Sequence, residues 1–268
     1  MRACVAVGHS GPATLAIVAP NTSTFSPMDL ISPALKGRSF LTLLDITRED
    51  LSQLLELAAQ LKAGAVKPRC DKVLGLLFYK ASTRTRVSFT VAMYQLGGQV
   101  IDLNPNVTQV SRGEPLIDTA RVLGRYLDVL AVRTFAQEDL EIFKAFSGIP
   151  IVNALSDLEH PCQAMADLLT VREAFGDLAG RTLTYVGDGN NVANSLLLAC
   201  AMSGMNVRIA CPKTYEPDPE IVAKSIALAD GRSTVMITHD PIEAAQGAHA
   251  LYTDVWASMG QEDLADAR

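Results

Sequence analysis

The segment richest in groups that can bind an anion is Ser82-Thr83-Arg84-Thr85-Arg86. It follows the apolar run 72–79, which predicts a buried strand, and it opens the helical pattern 84–96. The first N–H groups of a helix have no partner within it, so they and the positive end of the helix dipole favour an anion. A guanidinium group adds two parallel hydrogen bonds to a phosphate. The pattern predicts a phosphate site; the alternative is an ordinary capped helix with two solvated arginines.

A second polar cluster, His160-Pro161-Cys162-Gln163, stands at the start of another predicted helix. Proline fits the first helical turn, where a missing N–H costs little. His160 and Gln163 would lie near one edge of a crevice, where a histidine can donate a hydrogen bond to a carbonyl oxygen that gains negative charge. The alternative is a loop histidine with structural hydrogen bonds alone. Arg133, at the end of a predicted strand, is either a ligand-binding guanidinium or a salt-bridged surface arginine.

Two further segments follow predicted strands. The first, Gly187-Asp188-Gly189-Asn190-Asn191, begins like the dinucleotide fingerprint Gly-x-Gly-x-x-Gly, but Val192 stands at the third glycine position. Its asparagines therefore favour hydrogen bonds to a small polar substrate, and the alternative is a tight turn that needs glycine. The second, 254–260, brings a carboxylate and a hydroxyl to a strand end, where they could hold an ammonium group. Its alternative is a turn whose Trp256 packs inward.

Strands and helices must bring these segments together, and short aliphatic runs alternate with amphipathic segments from Lys36 onward. The predicted strands are 72–79, 100–103, 128–133, 149–155, 182–186, 206–210, 234–238 and 250–254. The predicted helices are 84–96, 118–126, 138–146, 162–175 and 192–203, with one more starting at the capping pair Thr47 and Asp50 and a short one at Asp240-Pro241. This alternation predicts an α/β fold of two domains, each a parallel sheet flanked by helices. Ligands then bind at the carboxyl ends of the strands.

Composition narrows the function further. The chain has 268 residues, 49% apolar residues and a net charge of −6, with Lys and Arg dispersed, which argues against a nucleic-acid surface. No run approaches the roughly 20 apolar residues of a membrane-spanning helix. Five cysteines without a Cys-x-x-Cys pair predict reduced thiols and a cytoplasmic setting, and four scattered histidines predict no metal site.

The first 30 residues differ in character from the rest. Two apolar runs are split by residues 8–12, and Arg2 is the one basic residue before them, whereas a secretory signal needs a continuous apolar core. We therefore expect residues 1–33 to be an unstructured leader, or the product of a start codon assigned too early, rather than an export signal.

Taken in order, these segments closely resemble the ornithine carbamoyltransferase family, from about residue 36 to the end of the chain. The resemblance rests on 37–41 (Gly-Arg-Ser-Phe-Leu), 82–86 (Ser-Thr-Arg-Thr-Arg), 118–121 (Asp-Thr-Ala-Arg), 160–163 (His-Pro-Cys-Gln), 187–191 (Gly-Asp-Gly-Asn-Asn) and 254–260 (Asp-Val-Trp-Ala-Ser-Met-Gly). The segments 82–86 and 160–163 are shared with aspartate carbamoyltransferases. The segment 254–260 is the one that favours ornithine.

The resemblance implies transfer of a carbamoyl group from carbamoyl phosphate to the side-chain amine of L-ornithine, without a metal or organic cofactor. It assigns carbamoyl phosphate to Ser82, Thr83, Arg84, Thr85, Gln109, Arg133, His160 and Gln163, with Gln109 reaching a neighbouring subunit's site. Arg133 and His160 are the expected catalytic residues. It assigns ornithine to Asn191, Asp254, Ser258 and Met259. It also implies a homotrimer with shared sites, a carbamoyl phosphate domain at 34–155 and an ornithine domain at 156–268.

One departure from the family's pattern affects the expected activity. The family carries a His-Cys-Leu-Pro segment and a closing helix beyond the Ser-Met-Gly segment, whereas this sequence stops at Arg268. We therefore expect an incomplete second domain and a chain that is unstable or catalytically weak. The alternatives are a carbamoyltransferase for another amine, such as putrescine or an acylated ornithine, and a carbamoyl phosphate-binding protein without turnover. A nicotinamide dehydrogenase is disfavoured by Val192.

Overall fold

The computed structural model describes residues 6–7 and 33–254 of the chain. Ser258 and Met259, and all but three residues of the expected leader, lie outside the described residues. Ala6 and Val7 form a two-residue strand, β1, which pairs antiparallel with the edge of the second sheet. The sequence analysis did not predict that strand.

The first sheet contains four parallel strands in the order β3-β2-β4-β5. Its strands are β2 (Val73–Phe78), β3 (Gln99–Leu103), β4 (Val129–Arg133) and β5 (Ile151–Leu155). Its helices are α2 (Arg84–Gln95), α3 (Leu116–Leu123) and α4 (Gln137–Ser147). Alternate residues of the strands enter opposite cores: Leu77 packs with α3 and α4, whereas Leu76 packs with Met93 of α2. The predicted sheet with helices on both faces is confirmed.

The second sheet has the order β1-β9-β6-β7-β8, and its last four strands are parallel. These strands are β6 (Thr182–Val186), β7 (Asn206–Ala210), β8 (Val235–Thr238) and β9 (Ala250–Thr253). The helices are α5 (Pro161–Phe175), α6 (Asn191–Ser203), α7 (Pro219–Ala229) and α8 (Pro241–Ala245). The sequence analysis missed α7, although Asp218 and Pro219 form a typical helix start there. No helix of the described residues is long and apolar enough to cross a bilayer.

The first helix, α1 (Arg48–Lys62), packs with the second sheet's helices rather than with the first sheet. Its start has the predicted capping box between Thr47 and Asp50. Its buried side chains Leu51 and Leu55 join the core that α5 and α6 share. The chain just before α1 therefore runs beside the loop that follows β5, and Phe40 forms a parallel bridge to Val152 there.

The strand registers bring the predicted site segments to one edge of each sheet. Phe78 pairs with Arg133, and Arg133 pairs with Leu155, so the carboxyl ends of β2, β4 and β5 are level. In the second sheet, Val186 pairs with Thr253, which places the turn after β6 beside Asp254. The loops that carry the candidate residues therefore leave neighbouring strands at the same edge.

Candidate active site

One lysine ties together the three loops at the carboxyl edge of the first sheet. Lys80 follows β2, and its ammonium forms an ion pair with Asp157, whose loop follows β5 (2.5 Å). The same nitrogen lies 4.2 Å from the ring centroid of Phe135, two residues after β4. The Lys80 side chain is only 10% exposed, whereas the Asp157 side chain is 61% exposed, so the lysine end of this link is the buried one. It holds the segment 82–86 close to Arg133 and to the loop that ends at His160.

At the start of α2, the hydroxyl group of the N-cap residue forms no capping hydrogen bond. Thr83 is the residue before the helix, and its side chain accepts no hydrogen bond from the first helical N–H groups. Ser82 and Thr85 are half-buried, whereas Thr83 and Arg84 are exposed. The first N–H groups of any helix lack intrahelical acceptors, so an anion can take their place. This geometry fits the predicted phosphate site.

The two arginines of the segment have different environments. Arg86 forms an ion pair with Asp102 of β3, and its guanidinium carbon lies 4.9 Å from the centroid of the Phe78 ring. Arg84 has no ion pair or side-chain hydrogen bond among the described residues. Arg86 therefore joins α2 to the sheet, and Arg84 is the arginine that remains available for a ligand.

Arg133 occupies the last position of β4 and is 6% exposed. Its Nε has no hydrogen-bond partner among the described residues, and burial lowers the pKa of the guanidinium. A guanidinium remains charged in proteins. A buried charge without a partner is unfavourable unless a ligand or water compensates it. The surface-arginine alternative is therefore wrong, and Arg133 has the environment of an anion- or carbonyl-binding residue.

His160 lies directly before α5 and is 8% exposed. Burial, and then the nearby positive charge of Arg133, lower the pKa of His160 to about 4. Its ring is therefore neutral at pH 7, and Nδ1 has no partner among the described residues. The backbone N–H of His160 donates to the Ser195 hydroxyl oxygen (2.8 Å). A neutral imidazole beside a buried guanidinium supplies a second hydrogen-bond donor without a second positive charge.

Gln163 lies one turn into α5, and its amide donates to Asp167 Oδ1 (2.8 Å). Asp167 is 7% exposed, and burial raises its pKa to about 7, against the opposing effects of Gln163 and Tyr252. The hydrogen bond holds the Gln163 side chain along the face of α5 that also carries Asp167. Gln163 and His160 thus share one end of the helix, as predicted.

The two asparagines of the turn after β6 make different contacts within the chain. Asn191 donates to the carbonyl oxygen of Ser156 in the loop before His160 (2.5 Å). Asn190 caps α6, because its side-chain oxygen accepts from the N–H groups of Val192 and Ala193. The Asn190 amide also donates to Asp254 Oδ2 (3.1 Å). The capping role of Asn190 was not predicted, although asparagine before a helix is a known capping signal.

Gln109 follows β3, in a segment that carries no other candidate residue. It begins a short 3-10 helix, Gln109–Arg112, and its side chain is exposed. It borders a cavity of about 320 Å³ lined by Leu103, Glu114 and Val122, among others. No side-chain hydrogen bond or ion pair within residues 33–254 joins it to the rest of the site.

Comparison with known proteins defines the family. The carbamoyl phosphate-binding domain of the aspartate/ornithine carbamoyltransferases matches residues 38–173, a stretch that includes α1 and α5. The Asp/Orn-binding domain of the same family matches residues 179–268. Together the two matches cover both sheets and every candidate residue.

Relatives and solved structures agree with these matches. The ornithine carbamoyltransferase of Nostoc sp. is 68% identical over 235 residues, which are 88% of this chain and 77% of that protein. The ornithine carbamoyltransferase of Gloeobacter violaceus superimposes with a TM-score of 0.77 at 58% identity, over 81% of this chain and 74% of that one. The Pyrococcus furiosus enzyme gives 0.81 at 43% identity, over 87% and 77%. The chain therefore belongs to the aspartate/ornithine carbamoyltransferase family.

Proposed function

We propose that this chain transfers the carbamoyl group of carbamoyl phosphate to the side-chain amine of L-ornithine, giving L-citrulline and phosphate. The observation that carries the proposal is the buried pair of Arg133 and neutral His160, at the strand edge where the segment 82–85 also lies. The choice of ornithine is supported by the names of relatives that are 59–68% identical. It is also supported by the Asp-x-x-x-Ser-Met-Gly segment at 254–260.

The chemistry requires donors at two separate oxygen groups. The neutral amine attacks the carbonyl carbon and the carbonyl oxygen becomes negative. The bond to the phosphate oxygen then breaks, and the proton that the amine loses passes to the leaving phosphate. In this proposal Arg133 and His160 donate to the carbonyl oxygen, and Ser82, Thr83, Arg84 and Thr85 donate to the leaving phosphate. Loss of one such donor costs about 3 kcal/mol of transition-state stabilisation. Holding both reactants together makes an effectively unimolecular step.

The second substrate is proposed to bind between the two sheets' loops. Asn191 and the backbone of Met259 would contact the ornithine carboxylate, and Asp254 and Ser258 its α-ammonium end. The contact between Asn190 and Asp254 supports this assignment, because it fixes a carboxylate beside the start of α6. We further propose residues 34–155 as the carbamoyl phosphate domain and 156–268 as the ornithine domain.

We also propose a cytoplasmic homotrimer that supplies arginine biosynthesis. An apolar stripe on the exposed face of α2 supports self-association, since Val87, Val91 and Tyr94 are 55%, 45% and 60% exposed. These residues are spaced at i, i+4 and i+7 and therefore share one helix face. Gln109, whose side chain is exposed, would reach the carbamoyl phosphate of a neighbouring subunit.

A citrulline assay with the purified chain tests the proposed reaction. Carbamoyl phosphate is supplied with L-ornithine, putrescine or an N-acylated ornithine in parallel reactions. We expect carbamoylation of L-ornithine with the highest kcat/KM. A preference for putrescine would assign the other amine, and tight binding of carbamoyl phosphate without turnover would support a binding protein instead.

A further inference from the structure

Glu159, the neighbour of His160, is a buried carboxylate that the proposed reaction does not use. Glu159 is 0% exposed, and its carboxylate forms no ion pair with a cation among the described residues. A buried carboxylate without a cation is unfavourable unless several donors hold it. Burial does raise the pKa of Glu159, with the negative charge of Asp45 acting in the same direction. The contacts of this carboxylate therefore need a structural or functional explanation.

Three hydrogen bonds hold the Glu159 carboxylate, two from the segment before α1 and one from α6. The Thr42 hydroxyl donates to Oε1. The Leu43 N–H donates to Oε2 (3.2 Å), and so does the Ser195 hydroxyl of α6 (3.4 Å). Thr42 and Leu43 precede α1, so Glu159 joins the loop after β5 to two elements of the second core.

The Ser195 hydroxyl links this carboxylate to the backbone of His160. A serine hydroxyl has one hydrogen to donate and lone pairs to accept. Because Ser195 donates to Glu159, its lone pairs are directed to the backbone N–H of His160, which donates to Ser195 Oγ at 2.8 Å. The chain of contacts therefore runs from the carboxylate through one hydroxyl to the residue that carries the candidate catalytic ring.

Helix α5 holds His160 through its carbonyl oxygen, which accepts from the N–H groups of Gln163 and Ala164, but it does not hold the N–H of His160. This histidine lies before the first helical residue, with φ −128° and ψ 67°, outside the helical region. Its N–H is therefore not part of the helix ladder of α5. A second contact steadies the same loop, because the N–H of Glu159 donates to the Ser156 hydroxyl (3.2 Å). The side chain of Glu159 thus determines where the backbone of His160 lies relative to α6.

We propose that Glu159 is a positioning residue that acts through Ser195 to hold His160 in its reactive place. The inference rests on the proposed carbamoyl transfer, since it assigns His160 a role in that reaction. Glu159 itself touches no substrate in this scheme. Its effect is on the position of the His160 backbone, and through it on the carbamoyl oxygen.

The test compares Glu159→Gln, Ser195→Ala and the double variant by steady-state kinetics. Both single changes should lower kcat/KM for carbamoyl phosphate by roughly tenfold to a hundredfold, the effect of a misplacement of about 1 Å. The double variant should lose no more than the larger single loss, because both changes break one link. Additive losses, or unchanged kcat/KM in a folded Ser195→Ala variant, would overturn the proposal.

Matched controls separate positioning from general destabilisation. Ser225→Ala removes an equally buried hydroxyl from α7, and Asp50→Asn removes a buried carboxylate from the start of α1. Both should lower Tm while kcat/KM stays near that of the wild type. If the control variants show the same loss of kcat/KM for each degree of lowered Tm as Ser195→Ala, the loss reflects general destabilisation and the positioning role is wrong.

A readout that needs no turnover distinguishes failure of this inference from failure of the proposed function. Amide hydrogen exchange at His160 should be faster in Glu159→Gln and in Ser195→Ala than in the wild type, and unchanged in Ser225→Ala. Unchanged exchange at His160 in both site variants would overturn the proposal even if citrulline is formed. Faster exchange in both would support the link even if the chain turns over no ornithine.

Discussion

At the scale of single residues, the site is built from groups whose burial is unfavourable without a ligand. Arg133 keeps a positive charge at 6% exposure, and His160 is kept neutral beside it. Preorganised donors of this kind need little rearrangement when charge develops on a carbonyl oxygen. Arg84 differs, because it is exposed and has no partner among the described residues. These differences lead to two predictions about individual side chains.

Removal of the charge should affect ligand affinity at Arg84 and thermal stability at Arg86, the two arginines of segment 82–86. Arg84→Ala should weaken carbamoyl phosphate binding by about tenfold to a hundredfold, since a hydrogen bond to a charged group contributes roughly 1.5–3 kcal/mol. Arg86→Ala is the matched control, because Arg86 is paired with Asp102; it should lower Tm with a smaller effect on affinity. Isothermal titration with carbamoyl phosphate measures both. Unchanged affinity in Arg84→Ala would contradict the phosphate assignment.

The raised pKa of Asp167 predicts a pH-dependent stability. The folded protein binds the Asp167 proton up to a pKa of about 7, whereas the unfolded chain releases it near the ordinary value of 3.8. The contribution of this group to folding stability is therefore most favourable below about pH 4. It becomes steadily less favourable as the pH rises from 4 to 7, and above pH 7 the full loss is reached. The free energy of unfolding of Asp167→Asn at pH 8 should exceed that of the wild type by up to roughly 4 kcal/mol. This figure follows from the shift of the pKa from 3.8 to about 7, at about 1.36 kcal/mol for each pKa unit.

Chemical denaturation of both proteins at pH 4, 6 and 8 measures the Asp167 effect. The stability difference between variant and wild type should shrink as the pH falls and vanish near pH 4. Asp71→Asn, a change at an exposed carboxylate, serves as the control. An equal stability difference at all three pH values would show that Asp167 does not bind its proton as inferred.

At the scale of elements, helix starts position the site. Helices α2, α5 and α6 all begin at the carboxyl edge of a sheet, and their first residues carry the candidate side chains. Close packing fixes these starts further. A Cβ on Gly189 would lie 2.1 Å from the backbone nitrogen of Pro217, so the turn before α6 requires glycine. The turn and the loop before α7 therefore hold each other in place.

Asn190→Ala tests the start of α6. The change removes two cap hydrogen bonds and the contact to Asp254, so we expect a loss of about 1 kcal/mol or more in stability. We also expect a higher KM for ornithine with a nearly unchanged KM for carbamoyl phosphate. Asp218→Ala, which removes the cap of α7, is the control: it should lose similar stability and keep both KM values. Equal changes of both KM values in Asn190→Ala would refute the assignment.

At the scale of the whole molecule, the apolar stripe on α2 is an exposed surface of the described residues that could bind a second copy of the chain. Val91→Asp places a charge in the middle of that stripe and should convert the proposed trimer into monomers. Ile226→Asp is the control, because Ile226 is 56% exposed on α7 and lies outside the stripe. Sedimentation velocity measures the outcome. A trimer that survives Val91→Asp would place the interface elsewhere.

Sequence alone was enough to predict most strands and helices, the parallel sheets, and the positions of Arg133 at a strand end and of His160 before a helix. These features depend on hydrophobic periodicity and on residues a few positions apart, which a linear pattern records. The family resemblance followed from the same local segments. The strand β1 and the helix α7 were missed, because one is two residues long and the other lies in a long connection.

Only the tertiary structure decided which of several similar side chains belong to the site. It assigned Arg86 to Asp102, gave Asn190 the cap of α6, and brought α1 to the second core. It also placed Glu159 against Thr42, which is 117 residues earlier in the chain. Such contacts depend on how distant segments pack, and burial then sets the charge state of each group. No local pattern contains that information, because neighbours in space are not neighbours in sequence.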